Sequence, residues 1–339
     1  MIIDVHGHYT TAPPSLQTFR DQQLQRLSEG PYSPSVGPSV SDERLRESIE
    51  TNQLSVMLDR GIDVVLISPK ASGMEHHVES DEVAVEWAQV NNDLIARICD
   101  LFPRAFAPVC QLPQTPRGGL QHAVRELRRC VEKLGFVGCN LNPDPSGRWD
   151  TVPMTDERWF PIYEALCELD VPAMIHVSSS CNPASHTLGA HYLHADTAVF
   201  MQLLEGDLFA RFPDLRFVIP HGGGAVPYHW GRFEGLAERL GRPPLAEHLL
   251  QNVYFDTCVY HQPGMRLLFE VVPHANLLFA SEMLGAVRGT DPATGSGWDD
   301  TKRYVDGLDL DDAARVTVTS DNALRVYPRL VDRVGTSPR

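Results

Sequence analysis

The chain is short of positive charge: 29 Lys and Arg stand against 44 Asp and Glu, a formal net charge of −15. A surface of that sign repels nucleic acid and anionic lipid unless basic residues are concentrated locally, and the sequence shows no such patch. Paired cysteines are also missing. The seven present, at 99, 110, 130, 139, 167, 181 and 258, are an odd number, lie mostly in apolar runs and form no CxxC. This argues against a disulfide scaffold and for a reduced, cytoplasmic setting. No apolar run is long enough to span a bilayer. Met1 is followed at once by the strand-like Ile2–Val5 instead of a basic and then apolar leader, so neither anchor nor leader is expected. No GxGxxG or GxxxxGK[ST] follows an early strand, which counts against the doubly wound nucleotide-binding folds. With no repeat and no low-complexity linker, residues 1–339 are expected to form one domain, and 42% hydrophobic content suffices for a large core.

What the chain does have is eight short runs rich in Val, Ile, Leu and Phe: Ile2–His6, Asp63–Pro69, Phe106–Leu112, Phe136–Leu141, Ala173–Val177, Arg216–Pro220, Val253–Thr257 and Leu277–Ser281. Unbroken apolar character marks strands covered on both faces, as in an all-parallel sheet. Between them lie candidate crossover helices: Asp42–Arg60, Asp81–Leu101, Gly118–Leu134, Asp156–Leu169 and Thr197–Phe212, several opening on an Asp or Thr able to cap. Eight strands joined by right-handed crossovers predict an α/β chain folded as a (β/α)8 TIM barrel. Two segments interrupt the repeat after strands one and eight, residues 9–41 and Arg288–Asp300. The first carries a polar helix-like stretch, Leu16–Leu27, then the Pro/Ser/Gly-rich Pro31–Val40; both are expected near the barrel mouth.

Residues two apart in a strand share a face, so His6-Gly7-His8 aims two imidazoles together, with Gly7 leaving room beside them. A lone HxH is weak evidence, but its place at a strand's C-terminal end is where barrels of this kind keep their active sites. The same test finds His176 after strand five, His221 after strand six and Glu282 after strand eight. Three imidazoles and a carboxylate, His6, His8, His176 and Glu282, suit one divalent ion, Zn²⁺ first and Mn²⁺ or Fe²⁺ as alternatives, with a position left for water. Such an ion lowers the pKa of its water to roughly 7. Strand four ends in Cys139-Asn140-Leu141-Asn142 and supplies no bridging group for a second ion. His221, beside the ion without completing its shell, is the candidate for proton handling, and Glu282 is read as serving both metal and proton. The cysteines in strands three, four and seven are read as small core residues.

This pattern of HxH, two later strand-end histidines and a strand-end acid resembles the amidohydrolase superfamily. Pro220–Gly224 and Phe279–Glu282 are similar to the branch of aminocarboxymuconate-semialdehyde decarboxylase, although Glu282 stands where that branch has Asp. Glu282 together with Met283–Gly289, Asp299–Tyr304, Ser68–His77 and His176–Asn182 resembles the 4-oxalomesaconate hydratase family. The resemblance implies a lyase of aromatic-compound degradation that adds water to a conjugated keto-tricarboxylate and gives 4-carboxy-4-hydroxy-2-oxoadipate. It also implies a homodimer. A small tricarboxylate needs cationic and polar anchors: Lys70 and Arg288 at the rim, then Ser72, His76, Asn142, Ser178 and Tyr192. A non-oxidative decarboxylase or a metal-dependent hydrolase would use the same ligands, and a barrel that merely stores metal would need no proton-handling set. The metal ligands alone do not separate these readings; Glu282 and the rim segments favour hydration.

Overall fold

Burial on both faces turns each apolar run into a strand. In the computed structural model, which describes residues 1–334, all eight expected runs are parallel strands paired in sequence order. They are β1 (Ile3–Tyr9), β2 (Val64–Pro69), β3 (Phe106–Gln111), β4 (Gly138–Leu141), β5 (Ala173–Ile175), β6 (Phe217–Ile219), β7 (Val253–Asp256) and β8 (Leu277–Leu278). The last strand region meets the first: the Val5 N–H donates to the Phe279 carbonyl at 3.0 Å and the Glu282 N–H to the His6 carbonyl at 2.9 Å. The expected barrel is therefore present. Alternate strand residues, such as Ile3 and Val5, Val64 and Leu66, and Ala107 and Val109, form one core, closed by Val326, Tyr327 and Leu330. The complementary set, including Ile67, Phe106, Phe217 and Phe255, packs with the helices in a larger core. This two-sided pattern is why the strands read as continuous apolar runs.

The helices that bear on the site are α1 (Pro14–Glu29), α2 (Asp42–Glu50), α3 (Gln53–Asp59), α4 (Asp81–Leu101), α5 (Gln121–Arg128), α6 (Phe160–Leu169) and α7 (Tyr192–Glu205). Several differ from the sequence reading. Asp42–Arg60 is two helices, because Thr51 Oγ1 and Asn52 Nδ2 donate to the Glu47 and Ser48 carbonyls at 2.6 and 2.8 Å and end the first. Asp42 and Asp81 are not caps: Ser41 and Ser80 accept the capping bonds, leaving the carboxylates in the first turn, where the helix dipole favours them. Residues 118–134 begin helical structure only at Gln121 and finish in a π turn, Arg129–Lys133. Residues 156–169 open with a 3-10 turn before α6. The helix expected over 197–212 starts earlier, at Tyr192, and stops before Gly206. That early start places Tyr192 in the first turn, over the barrel mouth.

The first insertion contains α1, longer than the expected Leu16–Leu27. Its Gln23 Nε2 donates to Glu86 of α4 at 2.6 Å, and the irregular stretch that follows is tied to the same carboxylate by the Ser35 N–H at 2.7 Å. Among the described residues, no helix is long and apolar enough to cross a membrane.

Candidate metal centre

The strand-end rule brings its residues to one point. The Nε2 atoms of His6 and His8 are 3.0 Å apart, and those of His8 and His176 are 3.3 Å apart. Glu282 Oε1 is 4.0 Å from His8 Nε2. Donor atoms of His6, His176, His221 and Glu282 also lie mutually within 4.8 Å. Two uncharged acceptor nitrogens at such separations repel unless a proton or cation lies between them. Ligands about 2.0–2.1 Å from one Zn²⁺ stand roughly 3–3.4 Å apart in tetrahedral or flattened geometry, so the two histidine separations fit a single divalent ion, with the Glu282 carboxylate 4.0 Å away beside them.

Each imidazole is oriented by its other nitrogen. His6 Nδ1 donates to Asp256 Oδ2 at 2.8 Å, His8 Nδ1 to Ser68 Oγ at 2.8 Å and His176 Nδ1 to the Val177 carbonyl at 2.8 Å. This fixes the tautomer that leaves every Nε2 lone pair facing the centre. Burial, and then the crowding of imidazoles that cannot all carry charge together, pushes His8 and His176 well below the usual imidazole range, so both are neutral and able to ligate. The other oxygen of Asp256 accepts from the Gly222 and Cys258 N–H groups at 3.1 and 3.0 Å, which joins the ends of β6 and β7 to the centre.

His221 is arranged differently. Its Nδ1 meets Asp196 Oδ2 of α7 at 2.9 Å, while its buried Nε2 has no hydrogen-bond partner among the described residues and faces Glu282 Oε2 at 3.9 Å. Burial alone would lower its pKa, but the carboxylates of Asp196, Glu282 and Asp256 together outweigh burial and raise it to about 9. At neutral pH that value keeps a proton on His221 unless a cation stands beside it, and its Nε2 is directed at the site. Tyr192 stacks on it, with ring centroids 5.4 Å apart, and meets His176 edge-on at 4.9 Å. Burial pushes the Tyr192 phenol up, so it keeps its proton.

A cavity of about 480 Å³ opens above the centre, lined by His8, Thr10, Lys70, Ser72, Tyr192, Glu282 and Arg288 among others. Four of the seven expected anchors therefore share one wall with two centre residues. The other three, His76, Asn142 and Ser178, are buried together beneath the mouth and do not line this cavity. Asn142 Nδ2 donates to His76 Nδ1 at 2.8 Å and to Ser178 Oγ at 3.2 Å, and His76 Nε2 to the Leu112 carbonyl at 3.0 Å. The first insertion lies beside this cavity: Pro13, Pro14, Leu16 and Arg20 wall an adjoining space of about 190 Å³ that shares Thr10 and Lys70 with it.

Asp256, Asp196, Ser68 and Tyr260 join the site without having been expected there. Asp256 ends β7 and meets the same strand-end test that found the histidines. Asp196 lies on a helix, where only the fold brings it to His221. All seven cysteines are free, five of them buried, and Cys258 Sγ lies 3.6 Å from His6 Nδ1.

Residues 3–329 match the family model described as Amidohydrolase. The chain is 57% identical over 331 residues to the 2-keto-4-carboxy-3-hexenedioate hydratase of a Sphingobium species, covering 97% of each protein. Its fold superposes on 4-oxalomesaconate hydratase from Rhodopseudomonas palustris with a TM-score of 0.91 at 50% identity, over 98% of this chain and 97% of that one. A dihydroxybenzoic acid decarboxylase from a Polaromonas species, determined with bound manganese and an inhibitor, shares the barrel at a TM-score of 0.69 and 18% identity, over 98% and 97% of the two chains.

Proposed function

The chain belongs to the amidohydrolase family, and from that premise we propose that it is a metal-dependent hydratase adding water to 4-oxalomesaconate or its keto isomer 2-keto-4-carboxy-3-hexenedioate, in the breakdown of aromatic compounds. It is similar along nearly its whole length to proteins named for that reaction. The observation that carries the reading is the cavity in which Lys70 and Arg288 share a wall with His8 and Glu282. Two cations in a chain of net charge −15 are where a tricarboxylate would be held against an electron-poor double bond.

His6, His8, His176 and Glu282 are the proposed ligands of one divalent ion, with Zn²⁺ preferred for its nitrogen-rich donor set and Mn²⁺ or Fe²⁺ as alternatives. When bound, the ion supplies a water acidified to a pKa of roughly 7. The remaining work falls to the chain. Lys70 neutralises one carboxylate as a point charge, while Arg288 can grip another through two parallel bonds. Ser72 and Tyr192 add donors from the same wall. Beside a bound divalent ion the charge on His221 would be repelled, leaving its Nε2 free to take the proton of the attacking water, whose oxygen bonds to the β-carbon. The π electrons move to the 2-keto oxygen as an enolate, and a proton returned to the α-carbon completes the net addition of one water. Tyr192, still protonated, can donate toward that developing charge. We also propose a cytoplasmic location and a homodimer.

The test is to incubate metal-loaded protein with the keto-tricarboxylate, following conjugated absorbance and product mass. Hydration gives loss of absorbance with gain of one water. Release of carbon dioxide would replace this reading with decarboxylation, and absence of turnover with any of the three metals would remove it.

A further inference from the structure

We propose that the segment Asp299–Tyr304 is a brace that orients Glu282, with Asp299 and Tyr260 as its positioning residues. This rests on the reading of Glu282 as a ligand of the centre. The segment lines no part of the substrate cavity, yet three of its side chains reach the residues surrounding Glu282. Thr301 Oγ1 donates to the Ala280 carbonyl at 2.6 Å, two residues before Glu282. Asp299 Oδ2 accepts from the Leu284 N–H at 2.7 Å, two residues after it. Tyr304 Oη donates to the Tyr260 carbonyl at 3.0 Å, and Tyr260 Oη donates to Glu282 Oε2 at 2.9 Å. The carboxylate is thus held from its chain on both sides and at one oxygen.

The backbone there needs holding. Glu282 and Leu284 have φ of 51° and 56°, the left-handed region that side chains disfavour. Leu284 is gripped at both polar groups, its carbonyl accepting from Thr10 Oγ1 at 2.7 Å. Asp299 is fixed in turn by Arg60, whose Nη2 reaches Oδ1 at 2.6 Å and whose Nη1 reaches the Asp299 carbonyl at 3.0 Å. This pair is largely buried, with side chains 11% and 6% exposed. The consequence for the site is a division of labour between the two carboxylate oxygens. Tyr260 occupies Oε2, on the His221 side, and leaves Oε1 directed at His8. Without that hydroxyl the carboxylate is free to turn, and both oxygens can approach the ion.

The experiment compares Tyr260→Phe, Asp299→Asn and a control, Lys302→Ala, whose ammonium, among the described residues, pairs with Asp306. Each protein is loaded with Co²⁺, and metal content, visible absorption, thermal midpoint, kcat and KM are measured. Y260F is expected to bind one equivalent with an altered Co²⁺ spectrum and to lose 10–100-fold in kcat with KM little changed, as for other groups that orient metal ligands. D299N is expected to do the same and to raise KM, because Leu284 also leads to Arg288. K302A should match the wild type. Should D299N fail to fold, Y260F alone decides. Wild-type spectra and kcat in Y260F would overturn the brace, as would activity lost only in proportion to the metal-loaded folded fraction. If the wild type itself neither takes up Co²⁺ nor hydrates the keto-tricarboxylate, the functional reading fails first and the brace with it.

Discussion

A histidine is prepared to act as a ligand when its second nitrogen is spoken for, an arrangement that His6, His8 and His176 share with His221. The Nδ1 atoms of the first three are committed to Asp256, Ser68 and a backbone carbonyl. Removing an imidazole, by His6→Ala or His176→Ala, should abolish metal retention after dialysis, measured by elemental analysis; full occupancy in either variant would contradict the assignment. His221→Asn should instead keep its metal and lose about 10²–10⁴-fold in kcat, the usual contribution of a positioned proton acceptor. His76 offers a test of stability. Buried between Leu112 and Asn142, it titrates at about 4, against 6.5 when free. The unfolded chain therefore binds the extra proton first, so stability falls as pH drops from about 6.5 to about 4, by on the order of 3 kcal/mol. Denaturant unfolding between about pH 7.5 and pH 4 should show a steeper loss in the wild type than in His76→Gln. Equal slopes would contradict the burial argument. The strand-end histidines were legible because strand periodicity fixes both their face and their end of the barrel. Asp196 was not, since it meets His221 through the packing of a helix 25 residues away in sequence.

Among the elements, β1 shows how a motif can be read correctly for an incomplete reason. The space at Gly7 serves the neighbouring strand more than the imidazoles: a Cβ there would stand 2.5 Å from Val65 Cγ1 and 3.0 Å from the Leu66 carbonyl. Gly7→Ala should therefore cost about 1–3 kcal/mol through overpacking between β1 and β2, seen as a lower denaturant midpoint with an unchanged slope. A wild-type midpoint would refute the close approach. All eight strands were legible because two-sided burial leaves a continuous apolar trace. Helix ends were less so. Side-chain bonds from Thr51 and Asn52 divide the 42–60 helix, and the early start at Tyr192 follows from the π turn over Thr187–His191, which no apolar period announces. The motif Asp299–Tyr304 was visible as a pattern, but its contacts with Ala280, Leu284 and Tyr260 exist only once the chain has closed.

Over the whole molecule, the centre joins residues from the first strand to the last, so whatever occupies it acts on the fold as well as the chemistry. A ligand bound only by the folded state stabilises it by about 4 kcal/mol when present at ~1,000 times its Kd. Chelation should lower the thermal midpoint, and adding back one equivalent of Zn²⁺ should restore it; a midpoint indifferent to chelator would count against a buried ion linking β1, β5 and β8. The central claim is that this one centre directs water to the substrate double bond. It is tested most directly by turnover in water enriched in heavy oxygen, with the product analysed by mass spectrometry. The account predicts a heavy oxygen at the new tertiary hydroxyl, located by fragmentation apart from any exchanged into the 2-keto group, formed by protein holding one equivalent of metal and not by His176→Ala. Release of carbon dioxide in place of a hydrated product, or undiminished hydration by the metal-free protein, would contradict it.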